Sequence, residues 1–207
     1  ALTPSFTVSL NGVKLVQDLD YSVTYLSNKN VGTAKVVICG KGVYTNSLTK
    51  TFTIRPETMA SAVITGCKAK YSYTGKQVKP LIQVVWNGKI LRNNTDYTLL
   101  YKNNKKRGSA GIVVTGKGNY SGTLTASFTI VRASVKKASV TGLKAVYART
   151  GKAVKPKVTV KLGGKKLKKK RDYILSYRKN KKKGTALLYV KGVGNYSGTK
   201  KMKFKIR

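Results

Sequence analysis

Residues Asp96 to Ile130 read DYTLLYKNNKKRGSAGIVVTGKGNYSGTLTASFTI, and the chain writes this stretch three times. The other copies open at Asp20 and Asp172, each displaced by 76 residues with no gap. Tyr21, Tyr97 and Tyr173 correspond, as do Gly32, Gly108 and Gly184, and Phe52, Phe128 and Phe204. A fixed period of this length marks an array of like units. Residues 1–55, 56–131 and 132–207 are read as three domains, each large enough for a small core. Ala1 aligns with Gln77, so the first copy lacks the counterpart of roughly Arg55 to Lys76. It is expected to be truncated at its N-terminal side, as in a piece of a longer protein.

Each copy alternates short strands with glycine-rich turns. In the middle copy Ile82, Val84 and Trp86 alternate with Leu81, Gln83 and Val85. The same inward face carries Phe6, Val8 and Leu10 in the first copy and Val158, Val160 and Leu162 in the third. The opposite face varies from Ser5, Thr7 and Ser9 to Lys157, Thr159 and Lys161, so comparing copies separates core from surface. A period of two marks a half-buried strand. Asn11-Gly12, Asn87-Gly88 and Gly163-Gly164 follow, and such dipeptides accept the positive φ that a type I′ hairpin requires. A return strand then carries Leu15, Leu91 or Leu167. Further inward faces are Tyr97, Leu99 and Tyr101, then Ala110, Ile112 and Val114, with Phe128 and Ile130 closing the unit. Turn signals every 8–12 residues, with no helical period, predict an all-β sandwich. Arg55 to Ser61 and Val131 to Lys137 are expected to be short connectors between domains in an elongated row, each touching only its neighbours.

The charge is the second large feature. Lys and Arg number 43 against 5 Asp and Glu, a formal net charge of +38. Residues 1–55 carry 6 basic and 2 acidic residues, residues 56–131 carry 11 and 2, and residues 132–207 carry 26 and 1. The gradient of +4, +9 and +25 lies on apolar positions that stay constant, so it belongs to the surface. Such a field favours anionic polymers or anionic lipid surfaces as partners. No run of about 18 apolar residues exists to span a membrane. The two cysteines, Cys39 and Cys67, are not copied in the other units, so no disulfide framework or metal site follows from them.

The string YTGKxVxP at Tyr73 to Pro80, followed by NGK, TDYT, YKNN, GKGNYSG and FTI, resembles the tandem Ig-like repeats of surface proteins from gut Firmicutes. That resemblance runs through essentially the whole chain. It implies small antiparallel β-sandwich domains in tandem and an extracellular location at the cell wall or surface of a Gram-positive cell. It brings no catalytic residue with it, because the family has no shared active site. The third copy departs from the pattern with Arg149 where Tyr73 stands, although Thr150-Gly151-Lys152 remain.

Several residues invite a sharper reading. Asp20, Asp96 and Asp172 each precede a repeat tyrosine. An isopeptide link to lysine needs a second buried acid to shuttle protons, and the third copy has none, so a turn-capping or salt-bridged role is expected. Tyr44, Tyr120 and Tyr196 in the glycine-rich turn are expected to pack beneath it and bond backbone through their hydroxyls, rather than stack on ligands. Trp86 fills the slot of Leu10 and Leu162 and reads as core. Cys39 faces outward, Cys67 replaces Leu143, and both are expected to be free thiols. No histidine, paired carboxylates, GxSxG elbow or phosphate loop appears, so no enzyme, cofactor or metal is expected.

The basic loops differ most among copies. Lys165, Lys166, Lys168, Lys169, Lys170 and Arg171, with Arg178, Lys179, Lys181, Lys182 and Lys183, hold 11 of the third unit's positive charges. Lysine suits exposed strand edges, but solubility needs only about 2–8 net charges on a small domain. These residues are therefore the candidate binding site for anionic cell-wall polymer such as teichoic acid. The excess of Lys over Arg favours diffuse attraction over bidentate recognition. A host glycan or host protein is the alternative partner, with Leu81, Val85 and Leu100 as its first candidates, and nucleic acid is a nonspecific one. The chain is expected to be monomeric. If the aspartates are turn residues, the intact mass equals that of the unmodified 22.6 kDa chain. A deficit of one water per domain would reveal isopeptide bonds.

Overall fold

A computed structural model describes all of residues 1–207. It is all-β: the only helical element is a 3-10 turn at Val135–Lys137. The strands repeat with the sequence period. Tyr21–Leu26, Tyr97–Lys102 and Tyr173–Arg178 correspond, and so do Gly32–Gly40, Gly108–Gly116 and Gly184–Gly192.

The third copy shows the construction most fully. One sheet has three strands, Ser139–Thr141, Thr159–Leu162 and Lys165–Lys166, with the middle one central. The other has four, in the order Val146–Tyr147, Thr199–Ile206, Gly184–Gly192, Tyr173–Arg178. Pairing within the four-stranded sheet is antiparallel except at its edge, where Val146 and Tyr147 run parallel to Lys205 and Ile206. In register, Ala186 faces Phe204 and Leu188 faces Met202, while Leu175 faces Val190. Ala186, Leu188 and Val190 are fully buried, Leu187 and Tyr189 between them are half-buried, and the flanking Thr185 and Lys191 are exposed. Val160, Leu167, Tyr173, Val190 and Tyr196 form one cluster between the sheets. Ala186, Leu188, Phe204 and Ile206 form a second, against which Tyr147 and Met202 pack. Side chains of successive residues point to opposite faces, so one apolar residue in two suffices to build this core.

The middle copy has the same strand inventory. Val63–Thr65, Gln83–Trp86 and Lys89–Leu91 make its three-stranded sheet. Lys70–Ser72, Thr123–Val131, Gly108–Gly116 and Tyr97–Lys102 make its four-stranded one. Val84, Leu91, Ala110, Ile112, Val114, Phe128 and Ile130 are buried as their alternation predicts. The hairpin dipeptides adopt left-handed backbone throughout, with φ of +48 and +80 at Asn11-Gly12, +45 and +75 at Asn87-Gly88, and +54 and +77 at Gly163-Gly164. In the glycine-rich turn, a Cβ on Gly116 or Gly192 would approach the Ser121 or Ser197 backbone to 2.8 or 2.7 Å. Only glycine fits there.

The chain forms two compact units. Ala1–Thr65, Ile82–Leu100 and Val113–Thr125 make one; Gly66–Leu81, Tyr101–Ile112 and Ala126–Arg207 make the other. The unit boundary therefore runs through the strands of the middle copy.

Three details depart from the sequence reading. Phe6 and Leu10 are exposed, and only Val8 of that trio packs against the Leu15, Tyr21, Val36 and Ile38 cluster. The strand Ser9–Leu10 pairs with Val13–Lys14 alone, whereas Gln83–Trp86 lies between two partners, so the first copy's sheet is one strand narrower at that edge. The expected connectors are built into the fold. Glu57–Thr58 pairs in parallel with Tyr120–Ser121, and Ala133–Ser134 with Tyr196–Ser197. Met59 and Val135 beside them are fully buried. Finally, a clip missed by the periodicity recurs in all three copies. Tyr25, Tyr101 and Tyr177 donate their hydroxyls to the carbonyls of Pro4, Pro80 and Pro156 at 2.7, 2.6 and 2.8 Å. Asn28, Asn104 and Asn180 exchange backbone and side-chain bonds with Leu2, Val78 and Val154.

Candidate functional site

The basic residues of the third copy are positioned by a hairpin and one tight turn. Gly163-Gly164 folds Lys161 onto Lys166 and Leu162 onto Lys165. Leu167 then turns inward, 3% exposed, and its amide donates to the Val160 carbonyl at 2.9 Å. The next four residues close on Asp172. The Lys168 amide donates to Asp172 Oδ2 at 2.8 Å, and the Asp172 amide donates back to the Lys168 carbonyl at 2.8 Å. Arg171 adds two bonds of 2.9 Å, from Nε to Oδ1 and from Nη2 to Oδ2. The Arg171 guanidinium holds the Asp172 carboxyl below its ordinary range against the opposing effect of burial, with the Lys168 amide assisting. Asp96 and Asp20 do the same work, accepting from the amides of Arg92 and Val16 at 2.8 and 2.7 Å. These aspartates organise turns.

From there the strand Tyr173–Arg178 crosses the sheet to the loop at residues 179–183. The two lysine runs thus sit at opposite ends of a six-residue strand, about 17–20 Å apart at the usual rise. Sequence reasoning missed what lies between them. Val154 is pinned to Asn180, and Pro156 to Tyr177. The intervening chain therefore leads from the 179–183 loop back toward Lys166 to Lys169, and it carries Lys155 and Lys157. The result is an open groove of about 850 Å³ rimmed by Lys155, Lys157, Lys166, Lys168 and Lys169, over Leu167, Tyr173, Leu175 and Tyr177. In the middle copy the positions of Lys157, Lys166 and Lys169 hold Leu81, Ile90 and Asn93. The period sets Lys157 apart, since the middle copy has Leu81 there, but Lys155 matches Lys79 and carries no such signal.

Every candidate lysine and arginine is exposed, but they do not act alike. Lys166, Lys168 and Lys169 face the groove. Lys165 turns away, its Nζ 6.0 Å from the centre of the Tyr73 ring. Arg171 is committed to Asp172, and Arg178 lies 5.8 Å from the Tyr189 ring. Lys170 and Lys179 hold φ of +71 and +54. The other copies place Asp18 and Asn94, or Ser27 and Asn103, at those positions, with φ between +53 and +69. Asn and Asp tolerate the left-handed region better than lysine does. Charge has been placed there against local backbone preference.

The remaining candidates are structural. Tyr120 and Tyr196 are buried beneath their turns, with Tyr44 half-buried. The Tyr120 hydroxyl does not bond backbone as expected; it accepts from Lys89 Nζ at 2.8 Å. This contact raises the Lys89 pKa. Trp86 packs edge-on against Tyr120 with centroids 5.4 Å apart, and its indole N–H donates to the Thr58 carbonyl at 3.0 Å. Cys39 and Cys67 are half-buried free thiols.

No protein-family model matches the chain, and no curated protein matches it. Among solved structures, the chain is similar to a protocadherin gammaB7 EC3-6 cis-dimer structure at 12% identity, covering all of this chain and 70% of that one. The TM-score of 0.22 is too low for that likeness to bear on fold or function. No helix is long and apolar enough to cross a membrane.

Asp172→Ala is expected to lower stability by about 1–3 kcal/mol in denaturant unfolding, since it strands the Lys168 amide and Arg171. Because the folded pKa lies below the unfolded one, the carboxylate's contribution is present above about pH 4 and disappears as pH falls through the folded value. The difference between wild type and Asp172→Asn therefore shrinks on acidification. Separately, the double variant K170N/K179N is expected to raise stability by about 1 kcal/mol, since asparagine accepts the left-handed backbone. A loss would contradict the reading that charge opposes backbone preference there.

Proposed function

We propose that this chain is a non-catalytic module of a bacterial surface protein, built from tandem Ig-like repeats, that acts as a spacer and a noncovalent anchor to anionic cell-wall polymer such as teichoic acid. The observation that carries the reading is the concentration of cations on one copy of a repeated scaffold. The third copy keeps the buried hydrophobic positions of the middle one apolar and exchanges many of its exposed residues. Thr125, Ser127 and Thr129 become Lys201, Lys203 and Lys205, all exposed. Leu81 and Ile90 become Lys157 and Lys166 at the groove. Neither folding nor solubility asks for +25 on 76 residues, and Lys170 and Lys179 work against the backbone. A dense lysine field on an open groove suits a flexible polyanion that offers many charges and no fixed geometry.

A second reading has its own observation. The middle copy exposes Leu81 (95%), Ile90 (56%) and Leu100 (56%), side chains on which a host protein or glycan could seat. That reading predicts binding that survives physiological salt and maps to these residues. Nucleic acid binds any chain this basic, and its attraction is likewise lost with salt.

The test uses the full chain and a variant with Lys155, Lys157, Lys166, Lys168 and Lys169 changed to Gln. Binding to purified Gram-positive walls is measured with and without teichoic acid. Wild type is expected to bind teichoic-acid-bearing walls and to lose about tenfold or more in affinity between about 50 and 200 mM salt. The variant is expected to bind more weakly and with a shallower salt slope. Equal binding by the variant, or binding indifferent to teichoic acid, overturns the anchor reading.

A further inference from the structure

A second basic site lies away from the groove, and it emerges from comparing one junction of copies with the next. In one compact unit the loop at residues 27–31 closes onto the glycine-rich turn of the middle copy. Asn119 Nδ2 donates to Asn30 Oδ1 at 2.9 Å, and Asn119 Oδ1 accepts from the Val31 amide at 2.8 Å. The other unit holds the same pieces one period later, the loop at residues 103–107 and Asn195. There Lys106 and Arg107 stand in place of Asn30 and Val31. The pieces line an open cavity of about 570 Å³, walled by Lys105, Lys106, Arg107, Asn195, Tyr73 and Gly75.

Lys165 brings a fourth cation to the same place. Its counterpart in the middle copy, Lys89, bonds the hydroxyl of Tyr120. Lys165 instead stands over Tyr73, so close to Gly75 that a Cβ there would lie 2.5 Å from its Nζ. Gly75 has φ of +81, and its counterpart Gly151 meets nothing within 4 Å. The ammonium thus borders the cleft. No carboxylate lines the cavity. The copy's single acid, Asp172, is already held by Arg171 and the Lys168 amide. Three cations line the cleft and a fourth borders it, with no carboxylate among them.

We infer that this cleft binds a phosphodiester group of a polyol phosphate polymer, a reading that rests on the anchor function proposed above and adds a defined subsite to it. Like charges gathered on one cavity are relieved by an anion. Arg107 supplies a planar fork for two phosphate oxygens, which the lysines of the groove cannot. Asn195 offers neutral hydrogen-bonding capacity to a polyol hydroxyl. Nucleobases bind single-strand sites chiefly by stacking on open aromatic faces. The one aromatic ring here does not offer that surface. Tyr73 carries Lys165 over its ring and meets Tyr196 edge-on at 5.9 Å and 85°. The polyol chain, with no base to stack, is the better fit.

The test titrates the full chain with a fluorescent oligo(glycerol phosphate) of about eight units and, separately, with an oligothymidylate of equal charge. The variant K106N/R107V restores the residues of the first junction, Asn30 and Val31, so its fold has a precedent within the chain; an unchanged thermal midpoint confirms it. Expected for this variant is an affinity loss of about tenfold for the glycerol phosphate oligomer, a log–log salt slope shallower by about 1, and a clearly smaller loss for oligothymidylate. Arg107→Lys, which keeps the charge, is expected to lose several-fold, and saturable shifts are expected at the Gly75 and Asn195 amides in NMR spectra. If K106N/R107V binds like wild type while the five-lysine groove variant loses binding, the cleft is overturned and the anchor reading stands. If wild type does not bind the glycerol phosphate oligomer, both fall. Equal losses for the two oligomers overturn the assignment to a polyol phosphate.

Discussion

The fold depends on burying every second residue of its strands between two sheets, and everything distinctive about the chain is written on the residues left over. Ala186, Leu188 and Val190 have no freedom: they are sealed against Phe204 and Ile206 or against Val160 and Leu167. Thr185 and Lys191 on either side of them face out and answer only to solvent and charge. Burial of a Leu or Val side chain contributes about 1.5–3 kcal/mol, while exchanging a surface Thr for Lys usually changes stability by less than about 0.5 kcal/mol. That inequality lets one scaffold carry +4, +9 and +25 in successive copies. Charge accumulates where it costs least, and then, at Lys170 and Lys179, also where the backbone resists it.

Much of the architecture was legible because the chain supplies its own comparison. Val84 aligned with Val160, and Leu91 with Leu167, are apolar in copies whose outward residues have diverged, and all four are buried. Asn87-Gly88 and Gly163-Gly164 signalled hairpins because they tolerate the positive φ that most residues avoid. What stayed hidden depended on partners far along the chain. Met59 and Val135 sit in stretches too short and irregular to show a period, yet the parallel pairs beside them build these residues into the core. Phe6 and Leu10 kept the inward pattern, but a pattern cannot say whether a neighbouring strand is present in the sheet. The tyrosine hydroxyls at Pro4, Pro80 and Pro156 bridge 21 residues, a distance at which neither propensity nor alternation carries information.

The candidate site was legible as composition and hidden as geometry. The lysine runs stood out at once, but sequence adjacency grouped residues that the fold separates. Lys165 and Lys166 are neighbours in the chain, yet one stands over the Tyr73 ring and the other at the groove, because successive strand residues face opposite ways. Arg171 counted as a free cation until Asp172 was seen to hold it. Lys155 and Lys157 were passed over because each is a single lysine between apolar residues, and only the pinning of Val154 and Pro156 to the far strand brings them to the groove. The cleft at Lys106 and Arg107 was hidden for a similar reason: its other wall, Asn195, is nearly 90 residues away.

The central claim is that anionic polymer is held by the groove of the third copy and the cleft beside Tyr73, with the outer face of the middle copy left free. Hydrogen–deuterium exchange of the full chain, with and without purified teichoic acid, maps this directly. Protection is predicted at residues 155–169 and 103–107, with residues 81–90 unchanged. Protection centred on residues 81–90 and 97–102, or spread evenly over every lysine-bearing segment, would contradict the account.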